Sequence, residues 1–228
     1  LSDQPIAFAN SPSAISAILS EDIINKATNA LFDPFEFGPY RTPEDWKLAQ
    51  KGKEKLYKEV VASYQEKKPK VYGLEWQDGQ ALIHVKLESD HISTMGTALK
   101  DFAQFGLVLT FFISRPSKEK NKGNLFFCLP EPDKYNYIGM VQKMLPEAST
   151  VEDSSVASFS MNGPHFGDRY GIISELLNSL YETQVELLGL SCSIHTISGV
   201  LPADQIHPAI EAIQKCFEVP SVIKKETN

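Results

Sequence analysis

Ala81-Leu82-Ile83-His84-Val85-Lys86-Leu87 reads as a β-strand, and it opens an order of elements that the chain runs through twice. In the first pass this strand is followed by a helix from Thr94 to Phe105, strands from Leu107 to Ile113 and from Asn124 to Leu129, and a helix from Asp133 to Leu145. In the second, Val156 to Met161 is a strand, Arg169 to Tyr181 a helix, Val185 to Leu190 and Ile194 to Leu201 are strands, and Gln205 to Phe217 is a helix. Both passes give β-α-β-β-α. The repeat survives in letters too: Leu129-Pro130 matches Leu201-Pro202, and Gln142-Lys143 matches Gln214-Lys215, each 72 positions on. Ile206, Ile210, Ile213 and Phe217 share one helical face, as do Ile172, Ile173, Leu176, Leu177 and Leu180, so each pass lays its helices on one side of a sheet.

A sheet with two helices on one face is the ferredoxin-like plan, βαββαβ, whose split connections permit antiparallel neighbours. The expected fold is therefore α+β, two ferredoxin-like units in tandem, residues 70–150 and 151–228. Ala148 to Glu152 is a candidate fourth strand. Lys70 to Trp76 or Ser221 to Lys224 would complete a sheet, with the repeats sharing or exchanging a strand. Residues 1–69 differ in texture, since prolines at 5, 12, 34, 39 and 43 separate short helical patterns. A helix is expected from Ser13 to Leu31 and another from the Thr42-Pro43-Glu44-Asp45 start signal to about Tyr64, making this region a helical arm. Leu107 to Ile113 is apolar on both faces, so something must cover the helix-free side of the sheet. The other repeat or a second copy of the chain would do so, and a homodimer is the expectation.

Composition narrows the function. A chain of 228 residues that is 42% hydrophobic carries enough apolar material for one or two cores, which excludes disorder throughout. The net charge is −7, and residues 71–228 hold nineteen acids against twelve bases, so no basic face is offered to nucleic acid. The longest apolar run, Leu107 to Ile113, falls far short of the roughly 20 residues a bilayer requires. Cys128, Cys192 and Cys216 form no CxxC pair, which is neither a disulfide framework nor a zinc signature, and a reducing compartment, the cytoplasm, is expected. Leu1 is not a methionine, so a processed chain or a fragment is expected. Ser114 to Gly123 reads as a long basic hairpin tip.

Val71-Tyr72-Gly73-Leu74 followed by Asp78-Gly79-Gln80-Ala81-Leu82-Ile83-His84-Val85 resembles the opening of the paired ACT domains that regulate aspartokinases. There a V-x-G-I strand, a turn and an A-x-I-x-V strand precede a helix; Leu74 here stands for the isoleucine. Gly163-Pro164-His165-Phe166-Gly167 ahead of a helix and Leu190-Ser191-Cys192-Ser193-Ile194-His195 between strands are similar to the second ACT unit of those enzymes. The resemblance spans Lys70 to Val219. It implies an allosteric regulatory protein that binds a small amino acid. The K-F-G-G-T-S kinase signature occurs nowhere, so no catalysis is expected and any catalytic partner is a separate chain. Thr110 stands where those enzymes carry an aspartate that helps hold the effector, which speaks against lysine or threonine.

The candidate ligand-binding residues are Asp90, His91, Ser93, Thr94, Thr110, His165, Phe166 and Asp168. Apart from Thr110 they occupy equivalent loops, each between the first strand and first helix of its unit. A loop leading into a helix presents unpaired N–H groups and a favourable dipole, which can hold a carboxylate; the same side chains also serve as plain helix caps. The five histidines, His84, His91, His165, His195 and His207, never stand with a second ligand at metal spacing, so neither metal nor cofactor is expected. Cys192 three residues before His195 makes no nucleophile and base order that spacing alone supports. The alternative to a sensor is a dimeric interaction scaffold with no small-molecule ligand.

Overall fold

The computed structural model describes residues 7–11, 14–32, 34–35, 45, 68–88, 99–100, 102–104, 106, 108–117, 122–130, 135–144, 146, 148–164, 166 and 170–226. In chain order the elements are a hairpin of β1 (Ala7–Ser11) and β2 (Ala14–Ile18), α1 (Ile24–Phe32), β3 (Gly73–Glu88), β4 (Phe111–Pro116), β5 (Lys122–Pro130), α2 (Tyr137–Met144), β6 (Ser149–Asn162), α3 (Ile172–Glu182), β7 (Gly189–Cys192), β8 (Thr196–Pro202), α4 (Ile206–Cys216) and β9 (Val222–Lys224). Residues 99–100 and 102–104 are helical as well.

The strands of the described residues belong to one sheet, ordered β2-β1-β4-β5-β3-β6-β8-β7, with β9 on β3. Neighbours along that order are antiparallel; β9 runs parallel to Leu74–Trp76 of β3. The long strands β3 and β6 are each used twice. Residues 80–88 of β3 lie between β5 and the start of β6, whereas residues 73–77 lie between β9 and the end of β6. Both segments weighed as completing a sheet, Lys70 to Trp76 and Ser221 to Lys224, thus supply strand residues to it. Ala148 to Glu152 contributes the first half of β6. The bend between the two halves of β3 falls at Gly79, whose φ of 64° suits glycine, and the pairing to β6 slips between Gln77 and Gln80.

Alternation along these strands separates two helix-covered cores. Ala81, Ile83, Val85, Leu125, Phe127 and Leu129 pack with Phe102, Tyr137 and Val141. Leu74, Trp76, Phe159, Met161, Ile197 and Leu201 pack with Leu176 and Leu180 of α3 and Ile210 and Ile213 of α4. Each such side chain, fully buried, contributes about 1.5–3 kcal/mol of transfer free energy. Gly199 of β8 lies beneath the Phe159 ring, where an added Cβ would meet ring carbons at 2.5 Å. Gly199→Ala is therefore expected to lower stability by about 1–3 kcal/mol through overpacking, read as a lower urea midpoint at unchanged slope.

The helix-free side is closed inside the chain. In a flat sheet β1 and β7, six places apart in the order, would stand about 29 Å from each other at 4.8 Å per strand. Ser191 Oγ of β7 instead donates to the Asn10 carbonyl of β1 at 3.4 Å. The sheet has curled until its two halves meet, and Leu82, Phe111 and Cys128 of one half bury against Val156 and Val200 of the other. Cover for the doubly apolar segment thus comes from the other repeat.

Three local expectations are corrected. The helix expected from Ser13 to Leu31 begins only at Ile24, after a 3-10 turn at Glu21–Ile23, and residues 7–18 form a hairpin instead of part of a helical arm. The cause is tertiary: β4 offers an open edge, and β1 takes it through Ala9↔Ile113 and Asn10↔Phe112. Phe8 stacks on Phe112 at 5.0 Å, and its N–H donates to Ser114 Oγ at 2.9 Å. The rest of the second expected helix, apart from helical Asp45, lies outside the described residues. The strand expected over Leu107–Ile113 begins at Phe111, and the long basic tip shortens because Arg115 pairs Asn124 and Ser117 N–H bonds Lys122 O. The strand expected over Val185–Leu190 begins at Gly189, and the next at Thr196.

Candidate ligand cleft between the two halves

Of the eight candidate residues, Asp90, His91, Ser93, Thr94, His165 and Asp168 lie outside the described residues. Phe166 is buried, its ring edge-on to Phe217 at 6.1 Å and close over Gly163. Thr110 stands apart from both helix-leading loops in sequence, just before β4, and it lines a cleft of about 490 Å³.

The floor of that cleft is a directed chain of hydrogen bonds. The β3 bend places Gln80, fully buried, so that its amide nitrogen donates to Gln77 O at 3.1 Å and to Ser158 Oγ at 3.0 Å. Those two acceptors fix which end of the amide is nitrogen. The Thr110 hydroxyl then donates to Gln80 Oε1 at 2.6 Å. Beside this chain, Ser198 Oγ donates to Ser160 Oγ at 3.0 Å. Ser158 and Ser160 share the helix-free side of β6, because side chains two apart on a strand face the same way. Val108 and Leu109 add apolar wall.

Charge gathers at the rim. Lys225 Nζ lies 2.6 Å from Glu75 Oε2, and Lys225 N–H donates to Trp76 O, which holds the segment after β9 along the opening. Lys224 reaches Asp78 at 2.8 Å and lies 4.9 Å over the Trp76 ring. These pairs are half exposed, and surface pairs of this kind contribute about 0–1 kcal/mol each. Glu226 also lines the cleft, so two carboxylates face one ammonium there. Asn10, from the hairpin, completes the lining, and its Oδ1 is buried without a hydrogen-bond partner among the described residues. An unmet acceptor of that kind costs about 1–3 kcal/mol.

The three cysteines are not armed as nucleophiles. Burial pushes the thiols of Cys128, Cys192 and Cys216 above the usual cysteine range, so none is poised as a thiolate at neutral pH. Cys192 ends β7 and His195 lies in the turn before β8. Among the described residues no three His, Cys, Asp or Glu side chains are grouped to hold a metal ion, and no helix is long and apolar enough to cross a membrane.

Asn10, Gln80, Ser158, Ser160 and Lys225 were not among the residues singled out in the sequence. Ser158-Phe159-Ser160 and Thr196-Ile197-Ser198 carried a signal, polar residues alternating with apolar ones on strands that end up buried. Asn10 carried none, because its partner strand is about a hundred residues away in sequence.

No family model matches the chain, and no curated protein matches it in sequence. Solved structures do. An aspartate kinase from Synechocystis aligns over 94% of this chain at a TM-score of 0.72 and 16% identity; the chain spans 34% of that enzyme's length. The regulatory subunit of aspartate kinase from Thermus thermophilus aligns over 64% of this chain and 97% of its own, at a TM-score of 0.55 and 15% identity. Aspartokinase alpha and beta subunits align over the same shares at 0.54 and 18%. At such identities the likeness is one of fold, and the chain carries the fold of aspartate kinase regulatory subunits.

Proposed function

We propose that this chain is a non-catalytic regulatory module built of two ACT-type, ferredoxin-like units, residues 70–150 and 151–228, that binds a small amino acid and passes the event to a separate catalytic chain. The observation that carries the reading is the cleft between the two half-sheets, floored by hydroxyls and rimmed by charge, in a fold shared with a regulatory subunit. A ligand seated between two units favours one arrangement of them over another, which is what a partner would sense. The two units share β3 and β6, so motion in one is felt in the other. Its place is the cytoplasm, where free cysteines persist.

A panel of the twenty amino acids, each added to the purified chain, is the test. At a concentration of 100 times Kd the matching ligand stabilises by about 2.7 kcal/mol, a rise in Tm of about 5–10 °C for a chain of this size. A flat response to all twenty sinks the reading. A second reading, a homodimeric scaffold indifferent to amino acids, is favoured by one observation: among the described residues β2 stands at the edge of the sheet, with Ile15 and Ile18 exposed at 71% and 62%. Sedimentation separates the two, since a scaffold dimer keeps its mass with and without every ligand.

A further inference from the structure

We infer that the C-terminal segment, Ser221 to Glu226, is a strap along the rim of the cleft that lifts on its own while both cores stay folded, and that charge helps to hold it shut. The strap stands on the geometry of the tail and not on the regulatory reading above.

The tail is fastened without burial. Every residue from Pro220 to Glu226 is exposed, Val222 at 38% and Ile223 at 51% among them, so β9 puts no side chain into either core. It is held by its main chain, through Leu74 N–H donating to Ser221 O at 2.9 Å and Lys225 N–H donating to Trp76 O at 2.8 Å, and by its two lysines. Side chains alternate along a strand, so those lysines fall on opposite sides of it. Lys224 takes Asp78 at 2.8 Å and covers the Trp76 ring, whereas Lys225 takes Glu75 at 2.6 Å. Both pairs are half exposed and therefore open to screening by salt. An element with few buried contacts and exposed hydrogen bonds opens well below the free energy of global unfolding.

The chain ahead of the tail is fixed. Phe217 is buried, and Glu218 N–H donates to Pro69 O at 2.9 Å while its carbonyl accepts from Val71 N–H at 3.1 Å. Between that clasp and Ser221 stand only Val219 and Pro220, and proline brings no N–H to a sheet. Movement of the tail therefore starts after Glu218 and leaves α4 in place. Its position gives the motion a consequence, because Lys225 and Glu226 line the cleft beside Glu75 and Gln77. When the tail lifts, the cleft loses one wall and Glu75 loses the cation at 2.6 Å.

The experiment is residue-resolved hydrogen exchange by NMR on the full chain. Successive N–H groups along β3 point to opposite neighbours, so Leu74 N–H faces the tail and Glu75 N–H faces β6. Exchange is expected to be at least about tenfold faster at Leu74 and Lys225 than at Glu75, and the gap to widen between about 0.05 M and about 1 M salt. Lys224→Gln with Lys225→Gln is expected to widen the gap at low salt and to remove most of its salt dependence, at an unchanged urea midpoint. Ile223→Pro places a ring where alternation between Ser221 and Lys225 turns an N–H toward β3, and it is expected to release the tail with its charges intact. Combined with Trp46→Phe, which leaves Trp76 as the sole indole, that release is expected to raise acrylamide quenching at least about twofold. Equal exchange at Leu74 and Glu75 in both salts overturns the strap. So does a fall in the urea midpoint of the double lysine variant as large as a core substitution gives, since the tail would then unfold only with the cores.

Discussion

Phe111→Ala is expected to lower stability by about 3–5 kcal/mol, the range for deleting a buried phenylalanine ring. Phe111 opens β4 in the first unit and is fully buried. Its ring lies against Gly189 of the second unit, where an added Cβ would stand 3.0 Å from ring carbon, and it shares a cluster with Cys128, Val156 and Val200. The substitution removes more than volume, because this ring is one of the side chains that fill the space between the two half-sheets. A chain of this length would lose about 6–20 °C in Tm. Urea unfolding followed by tryptophan fluorescence reads it directly, since Trp76 is buried in the core covered by α3 and α4. A loss under about 1 kcal/mol would show that the halves do not close on one another, and the cleft between them would go with that closure.

Gln80→Leu is expected to cost about 2–4 kcal/mol and to disable the cleft, although leucine is close to isosteric and apolar. Gln80 is fully buried and is the one group that joins Thr110, Ser158 and the Gln77 carbonyl. Without it, the part-buried Thr110 hydroxyl loses its acceptor Gln80 Oε1, and buried Ser158 loses the donor that its Oγ accepts from. The transfer gain of a leucine side chain offsets only part of this. Double-mutant cycles of Gln80→Leu with Ser158→Ala should show a coupling of about 0.5–3 kcal/mol. Strict additivity would mean the hydrogen-bond chain does not hold in solution.

Why the candidate cleft was hidden in the sequence follows from particular residues. Ala81, Ile83 and Val85 announced a strand by alternation, and Ile206, Ile210 and Ile213 announced a helix, because each pattern reports one element meeting one core. Ile15 and Ile18 misled for the same reason: their spacing suits a helix, yet both are exposed on β2, and pairing with β4 through β1 decided the conformation. Thr110 was singled out in the sequence only by resemblance. Its partner Gln80 belongs to a strand thirty residues earlier, and the bond between them exists because β3 bends at Gly79.

The alternation of the strand from Ala81 onward, the apolar faces of α3 and α4 and the helix-covered cores they make were written in the chain, since each depends on local periodicity. The curl that brings β1 to β7, the hairpin in place of a helix, and the gathering of Asn10, Ser158 and Ser160 around one cleft were decided by tertiary structure alone. Sequence patterns say which face of an element is apolar; they do not say which distant face will cover it. That choice was made by Phe111, Leu82 and Val200 finding each other across the fold, and the cleft lies where those halves meet.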